Sequence, residues 1–170
     1  MRGAVLSVFL ILIPFANSTA LAERSSPPLR VADIERLVHD RINDERVDRK
    51  LSALGVDRQL SAIARAHSED MARRNFFSHV NPDGDDPTAR GKRAGYECHK
   101  EFGRLIREGL AENLFEASLP RRQDEIVRAS VRGWMNSPGH RRNILEKGYD
   151  RTGVGVAASG DRIYITQLFC

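Results

Sequence analysis

Apolar residues recur along the first half of the chain with the period of amphipathic helices. Apolar residues that recur every three or four positions predict a first helix, which should end before Leu51. Asp33 is a suitable cap for this helix. Its apolar stripe consists of Ile34, Leu37, Val38 and Ile42. A second helix should begin at Asp57 and bury one face. This face carries Leu60, Ile63, Ala64, His67 and Met71.

Two further helices are predicted in the C-terminal third. The segment from about Gln123 to Met135 has a helical apolar face, and Pro138 ends it. Its apolar face consists of Ile126, Val127, Ser130, Val131 and Trp134. Ser137 can cap a short helix that runs to Leu145, with Pro138 in the first position.

The end of the chain alternates apolar and polar residues with the period of two that strands have. It predicts a β-hairpin that turns at Ser159-Gly160. Its apolar positions are Val154, Val156, Ile163 and Ile165. Between Thr88 and Leu110 the pattern is irregular and predicts no element. Helices followed by strands favour an α+β layered domain.

The N-terminus has the features of a secretory signal peptide. Arg2 precedes an apolar run from residue 4 to residue 16, and Ala20-Leu21-Ala22 resembles a cleavage site. The run is shorter than the ~20 residues that cross a bilayer, so no transmembrane anchor is expected after processing. Residues 1–22 are therefore predicted to be the signal peptide, 23–32 a linker, and 33–170 a single domain.

The charge pattern makes nucleic acid an unexpected partner. The chain has 27 Lys and Arg against 23 Asp and Glu, a net charge of +4. Arginine pairs such as Arg73-Arg74 and Arg141-Arg142 alternate with acidic residues, among them Glu69 and Glu146. A nucleic-acid surface concentrates positive charge on one face, so these pairs are better explained as solvated helix faces.

The two cysteines, Cys98 and Cys170, predict a disulfide if the protein is exported. A free or intermolecular thiol is the alternative. Two isolated cysteines do not make a zinc site with cysteine ligands.

Two other polar features have structural explanations. His67, on the apolar side of the second helix, is expected to be a packed and hydrogen-bonded core residue. The loop at 81–87 contains Asp83, Asp85 and Asp86 but lacks the closing glutamate of an EF-hand calcium loop. An ordinary acidic turn is therefore expected.

The candidates for chemistry are His79, Glu112 and His140. His79 lies between aromatic residues and a proline-containing turn, which can hold an imidazole at the lip of a cleft. Glu112, with Asn113 beside it, has apolar neighbours, so its carboxyl group is expected to be either buried and paired or shifted in pKa. His140 falls in the first turn of the short helix, whose positive end favours the neutral imidazole. The candidate cofactor is a divalent metal (zinc, magnesium or calcium) held by His79, His140 and Glu112, although the sequence establishes none.

Several segments, in order, resemble the CAP superfamily, also called SCP-like, which includes cysteine-rich secretory proteins, venom antigen 5 and plant pathogenesis-related proteins of class one. These segments are LVHDRINDER, LSAIARAHSEDMARRNFFSHVNPDG, AGYE, LAENL, GWMNSPGHRRNIL, YDRTGVGVA and YITQLF. The resemblance covers about residues 34 to 169 and is strongest to exported bacterial members. It implies a three-layer α-β-α sandwich with a central antiparallel sheet and a large cleft.

The resemblance also implies roles for individual residues. His79 corresponds to the family's first cleft histidine, and Glu112 to the glutamate of its GEN segment, here written AEN. Eukaryotic members complete a tetrad with a second glutamate and a histidine in a late strand. This chain has Asn136-Ser137 and Tyr164 at those places, so Tyr164 is a further cleft candidate. His140 would bring a second imidazole to the cleft.

The family is associated with ligand binding and extracellular signalling or defence, often without established catalysis. The leading hypothesis is an exported, noncatalytic CAP-domain protein, secreted or periplasmic, that binds a lipid, a sterol or an envelope-derived ligand in its cleft. One alternative is a protease-like hydrolase that uses His79, Glu112 and His140 in metal-assisted or acid/base chemistry. Another is an extracellular protein-interaction module. No feature of the sequence indicates an oligomeric state.

Overall fold

The computed structural model describes residues 29–102, 105–119 and 121–170. The predicted signal peptide, and the predicted linker up to residue 28, lie outside the described residues. Within them, no helix combines the length and apolarity needed to cross a membrane. The helices are α1 (Val31–Val47), α2 (Arg58–Arg74), α3 (Pro87–Arg93), α4 (Gln123–Asn136) and α5 (Pro138–Leu145). The strands are β1 (Gly55–Val56), β2 (His99–Phe102), β3 (Leu105–Glu108), β4 (Ala111–Ser118), β5 (Arg151–Ser159) and β6 (Arg162–Phe169).

Four of the strands form one sheet in the order β1, β5, β6, β4. Strand β6 is antiparallel to both β5 and β4, and the two-residue β1 joins the other side of β5 in parallel. Strands β2 and β3 form a separate antiparallel hairpin. The hairpin predicted from the sequence, β5 and β6, therefore lies in the middle of the sheet, and β4 forms one edge.

Helices cover both faces of this sheet. The side chains of β5 and β6 point alternately to the two faces, as the strand pleat requires. On one face α1, α4 and α5 enclose the larger core, which includes Ile34, Ile42, Ile126, Trp134, Ile144, Val154, Ile163 and Ile165. On the other face α2 packs Leu60, Ile63 and Ala64 near Leu168. The expected three-layer α-β-α sandwich is confirmed.

Two glycines allow α2 to lie very close to β5. A Cβ at Gly153 would lie 2.2 Å from the Ser61 amide nitrogen, and one at Gly155 would lie 2.0 Å from the Arg65 amide nitrogen. These neighbours are backbone atoms, which cannot rotate away as the end of a side chain can. The Ser68 hydroxyl, on the same helix, donates to the Gly155 carbonyl at 2.9 Å. Helix α2 is therefore held firmly against the sheet.

A buried arginine joins α1 to the end of α5. The Arg46 guanidinium donates to the carbonyl oxygens of Ser52, Ile144 and Glu146 at 2.8, 2.7 and 2.9 Å. Burial lowers the pKa of this guanidinium, while the nearby Glu146 acts in the opposite direction. Carbonyl groups at the end of a helix lack intrahelical hydrogen-bond donors, and the Arg46 guanidinium provides donors for those at the end of α5.

The predicted disulfide is present between Cys98 and Cys170, whose Cα atoms are 5.6 Å apart. It connects the start of the β2-β3 hairpin to the residue that follows β6. The alternative of free or intermolecular thiols does not apply to this structure.

The acidic loop makes the contacts of an ordinary turn. Asp83 pairs with Arg74, and Asp85 pairs with Arg93 at 2.9 Å. Asp86 caps α3 by accepting a backbone N–H at 2.7 Å. Each carboxylate thus has a structural role within the described residues.

Some local predictions were wrong, among them the turn of the β5-β6 hairpin, which lies at Gly160-Asp161 and not at Ser159-Gly160. Helix α1 begins at Val31, so Asp33 lies in its first turn, where it pairs with Arg30 at 3.3 Å instead of capping. Ser137 occupies the N-cap of α5, but its hydroxyl makes no capping hydrogen bond. The segment between Thr88 and Leu110 contains most of α3 and both strands of the small hairpin. Elements of four to seven residues are too short to show a clear period in the sequence.

Candidate functional site

The candidate site lies at the free edge of β4, where the two helical layers meet. The carbonyl oxygens of Glu112 and Leu114 point outward from this edge. They accept hydrogen bonds from Asn143 Nδ2 at 3.2 Å and from Trp134 Nε1 at 2.8 Å. Buried carbonyls of an edge strand need such partners. Helices α4 and α5 thus close the edge and bring the start of α5 next to β4.

The carboxylate of Glu112 is the centre of the site. Its side chain is only 1% exposed, and both of its oxygens are bound. Oε1 lies 2.8 Å from His79 Nδ1, and Oε2 accepts a hydrogen bond from the Arg90 guanidinium. A buried carboxylate is tolerated when charged partners saturate it in this way.

Arg90, on α3, holds the loop that carries His79. In addition to its bond with Glu112, its guanidinium donates to the carbonyl oxygens of His79 at 2.8 Å and Asp85 at 2.9 Å. The side chain is 10% exposed. One guanidinium therefore fixes a strand, a loop and a helix relative to one another.

His79 is the exposed member of the site. Its side chain is 51% exposed. Because the Glu112 carboxylate can only accept, the hydrogen of the neutral ring lies on Nδ1, and Nε2 is left as an acceptor. The large apolar side chains of Phe77 and Val80, 43% and 47% exposed, lie beside it in the same loop. The loop thus exposes one oriented polar atom and two large apolar side chains.

His140 provides a second imidazole. Its ring centroid is 6.4 Å from that of His79, and the two planes are tilted by 52°. Burial is the main cause that lowers the pKa of His140, and the charge of His79 lowers it further. A neutral ring is therefore favoured at this position, in agreement with its location in the first turn of α5.

The other two cleft candidates lie elsewhere. Asn113 points to the opposite face of β4 from Glu112, where its Nδ2 donates to the His140 carbonyl at 3.2 Å and its Oδ1 accepts from Asn143 at 3.0 Å. It therefore positions α5. Tyr164 is 3% exposed and packs in the core. Its cluster also contains Met71 and Leu114.

His67 forms a hydrogen bond with the loop that carries His79. It is 1% exposed, and its Nε2 is 3.0 Å from the Ser78 carbonyl, to which it must donate. Burial is the main cause that lowers the pKa of His67. This arrangement agrees with the packed, hydrogen-bonded role expected from the sequence.

A family model described as "CAP: Cysteine-rich secretory protein family" matches residues 39–169. The chain belongs to this family. The "Uncharacterized protein YkwD" of Bacillus subtilis (strain 168) is 34% identical over 149 residues, which are 85% of this chain and 52% of that protein. The CAP domain described here thus spans about half the length of this curated relative.

Solved structures share the fold of this CAP domain. An extracellular protein containing an SCP domain from Bacillus anthracis matches with a TM-score of 0.63 and 27% identity, over 85% of this chain and 45% of that one. An outer surface protein from Borrelia burgdorferi matches with a TM-score of 0.64 and 16% identity, over 85% of this chain and 97% of that one. The latter likeness concerns the fold alone.

The residues of this CAP domain do not fit the divalent metal considered from the sequence. The predicted ligands were His79, His140 and Glu112, but both Glu112 oxygens are already engaged, one by the Arg90 cation. Across the described ranges, no group of three or more His, Cys, Asp or Glu side chains is placed to hold a metal ion. A buried guanidinium already balances the carboxylate charge.

Two cavities border the helices that frame the site. One of about 480 Å³ is lined on its α2 side by residues including His67 and Asp70, and on its α3 side by Arg90 and Arg93. Another of about 550 Å³ lies among α1, α2 and β5, and its lining includes both charged residues and Val154. His79, Glu112 and His140 line neither of them.

Sequence reasoning missed Arg90 and Asn143. Arg90 lies in the segment without a recognisable period, and nothing there separates it from the other arginines. Asn143 follows His140 by three positions, so the shared helical face was the available signal. The contacts of both residues depend on elements far away in the sequence.

Proposed function

We propose that this CAP domain acts outside the cytoplasm, secreted or in a periplasm, as a noncatalytic module that binds an envelope-derived polymer such as a cell-wall glycan. Export rests on the signal peptide predicted at residues 1–22. The similarity to a protein described as extracellular supports it.

The exposed surface around His79 carries the proposal. Its Nε2 has a fixed orientation because the buried Glu112 holds the opposite side of the ring. Phe77 and Val80 add exposed apolar surface, and His140 adds a second ring. A sugar polymer offers both hydroxyl donors for an imidazole and C–H faces for apolar side chains. This mixed surface is open to solvent, whereas a sterol or lipid needs an enclosed and mostly apolar pocket.

The test is co-sedimentation of the mature protein with insoluble cell-wall glycan and, separately, with sterol-containing vesicles. We expect binding to the glycan, weakened about tenfold in His79→Ala. His99→Ala is the matched control, because His99 has the same 51% side-chain exposure and lies on the β2-β3 hairpin. Equal binding by both variants would contradict the proposal. Sedimentation with the vesicles alone would replace the polymer by a lipid-like ligand.

A second candidate, a hydrolase, is supported by the pairing of His79 Nδ1 with Glu112. A carboxylate that orients an imidazole in this way leaves Nε2 available as a general base. Soluble fragments released from the glycan by the wild-type protein, but not by His79→Ala, would favour this function. Binding without fragments would favour the noncatalytic module.

A further inference from the structure

We infer that Arg90 is a built-in cation that occupies the position a divalent metal would need at Glu112, so that the site formed by Glu112 and His79 takes up no divalent metal. The inference goes beyond the proposed function and does not depend on which ligand is bound. It concerns the pair formed by Glu112 and Arg90, which no sequence motif pointed to.

Both oxygens of the Glu112 carboxylate already have partners. Glu112 has one oxygen on His79 Nδ1 at 2.8 Å and the other on the guanidinium. A metal on either oxygen would crowd one of these partners, and displacing His79 would remove the contact that orients its ring. The side chain of Glu112 is 1% exposed, so it cannot rotate into solvent to present a free lone pair.

Arg90 has further partners that fix it independently of Glu112. Its Nη1 atom donates to the carbonyls of His79 and Asp85, while Nη2 donates to Oε2 of Glu112. A planar guanidinium stays charged at any physiological pH and has a rigid arrangement of donors. Its charge and position are therefore permanent, unlike those of an exchangeable metal.

The charge of Arg90 also disfavours a metal ion beside Glu112. A single buried carboxylate with one buried guanidinium is neutral as a pair. A divalent ion in the same place would add two positive charges beside Arg90, with a single negative charge to offset them, where the low dielectric strengthens repulsion. His67, which the charges of both Glu112 and Arg90 influence, has its pKa lowered mainly by burial and offers no negative charge.

The test compares two substitutions of Arg90 that differ in charge. Arg90→Met removes the cation but keeps an unbranched side chain of similar reach, and Arg90→Lys keeps the charge but loses the planar donors. Zinc alone is titrated calorimetrically into each protein. All proteins carry His99→Ala, because His99 lies 3.5 Å from both Glu101 and Glu108 on the surface and could bind zinc weakly by itself.

We expect no saturable zinc binding in the protein that retains Arg90 or in Arg90→Lys. In Arg90→Met we expect a gain of saturable binding, at least about tenfold tighter than the detection limit set for the other two proteins. Adding His79→Ala to Arg90→Met should remove the gain. Near-ultraviolet circular dichroism shows whether Arg90→Met is folded. A folded Arg90→Met protein without the gain overturns the inference. Tight zinc binding by the protein that retains Arg90 also overturns the inference if His79→Ala abolishes that binding. This outcome can be observed even if Arg90→Met does not fold. The glycan test above can fail or succeed independently, since it contains no metal.

Discussion

Replacing Gly155 by alanine tests whether glycine sets the distance between α2 and β5. The new Cβ would lie 2.0 Å from the amide nitrogen of Arg65 and 2.3 Å from its Cα. Ordinary contacts begin near 3.4 Å, so the helix must move away by about 1.4 Å or the strand must bend. Overpacking in a well-packed core costs ~1–3 kcal/mol and occasionally more. Because the obstacle is backbone, we expect a loss near the upper end, ~3 kcal/mol.

Urea unfolding of the protein, with the disulfide intact, measures this loss. Gly139→Ala is the matched control. It lies in α5 with nothing within 4 Å of the added Cβ, and alanine is favoured over glycine in a helix by up to ~1 kcal/mol. We expect a lower midpoint for Gly155→Ala and an equal or higher one for Gly139→Ala. Wild-type stability in Gly155→Ala would refute the reasoning.

Three further predictions concern stability. Cys98 and Cys170 are 72 positions apart, so reducing their disulfide should lower the free energy of unfolding by about 4 kcal/mol. Urea unfolding with and without reductant measures this change. A loss below ~1 kcal/mol would contradict the loop-closure argument. Arg46→Met should lower the free energy of unfolding by ~2–4 kcal/mol because buried carbonyls lose their donor. The control Arg49→Met removes an exposed ion pair and should cost less than ~1 kcal/mol in the same assay. Equal losses would show that the buried hydrogen bonds of Arg46 add no special stability. Burial holds the pKa of His67 below its ordinary 6.5, so on acidification the unfolded chain takes up a proton before the folded chain does. The free energy of unfolding should therefore fall as the pH drops below about 6.5. Unfolding between about pH 7.5 and about 5.5 should show a smaller slope in His67→Gln, and an unchanged slope would assign the effect to another group.

The sequence predicted the elements whose pattern is long enough to reveal a period. Helices α1, α2 and α4 have 17, 17 and 14 residues, and each buries a regular apolar stripe. Strand β4 was not predicted, because its sequence AENLFEAS is rich in good helix formers. It is a strand because all eight of its residues pair with β6. Tertiary pairing thus overrides local preference there.

The candidate site was predicted only as far as local context and family resemblance reach. His79, Glu112 and His140 stand in recognisable segments, and the fold brings the three close together. Their partner Arg90 comes from α3, which no pattern indicated, and its ion pair exists only when α3 packs beside β4. Asn113 was grouped with Glu112 because the two are adjacent, but adjacent residues of a strand face opposite sides.

The position of β5 and β6 in the middle of the sheet has a consequence for how the chain acquires its structure. Both helical layers pack on strands that are synthesised after all five described helices, so the helices have no complete sheet to cover when they are made. Contacts between residues so far apart in sequence make folding slow, because the loops between them must close first. We therefore expect the nascent chain to stay unfolded until the final hairpin has been made, which is the state in which a polypeptide can be threaded through a translocation channel.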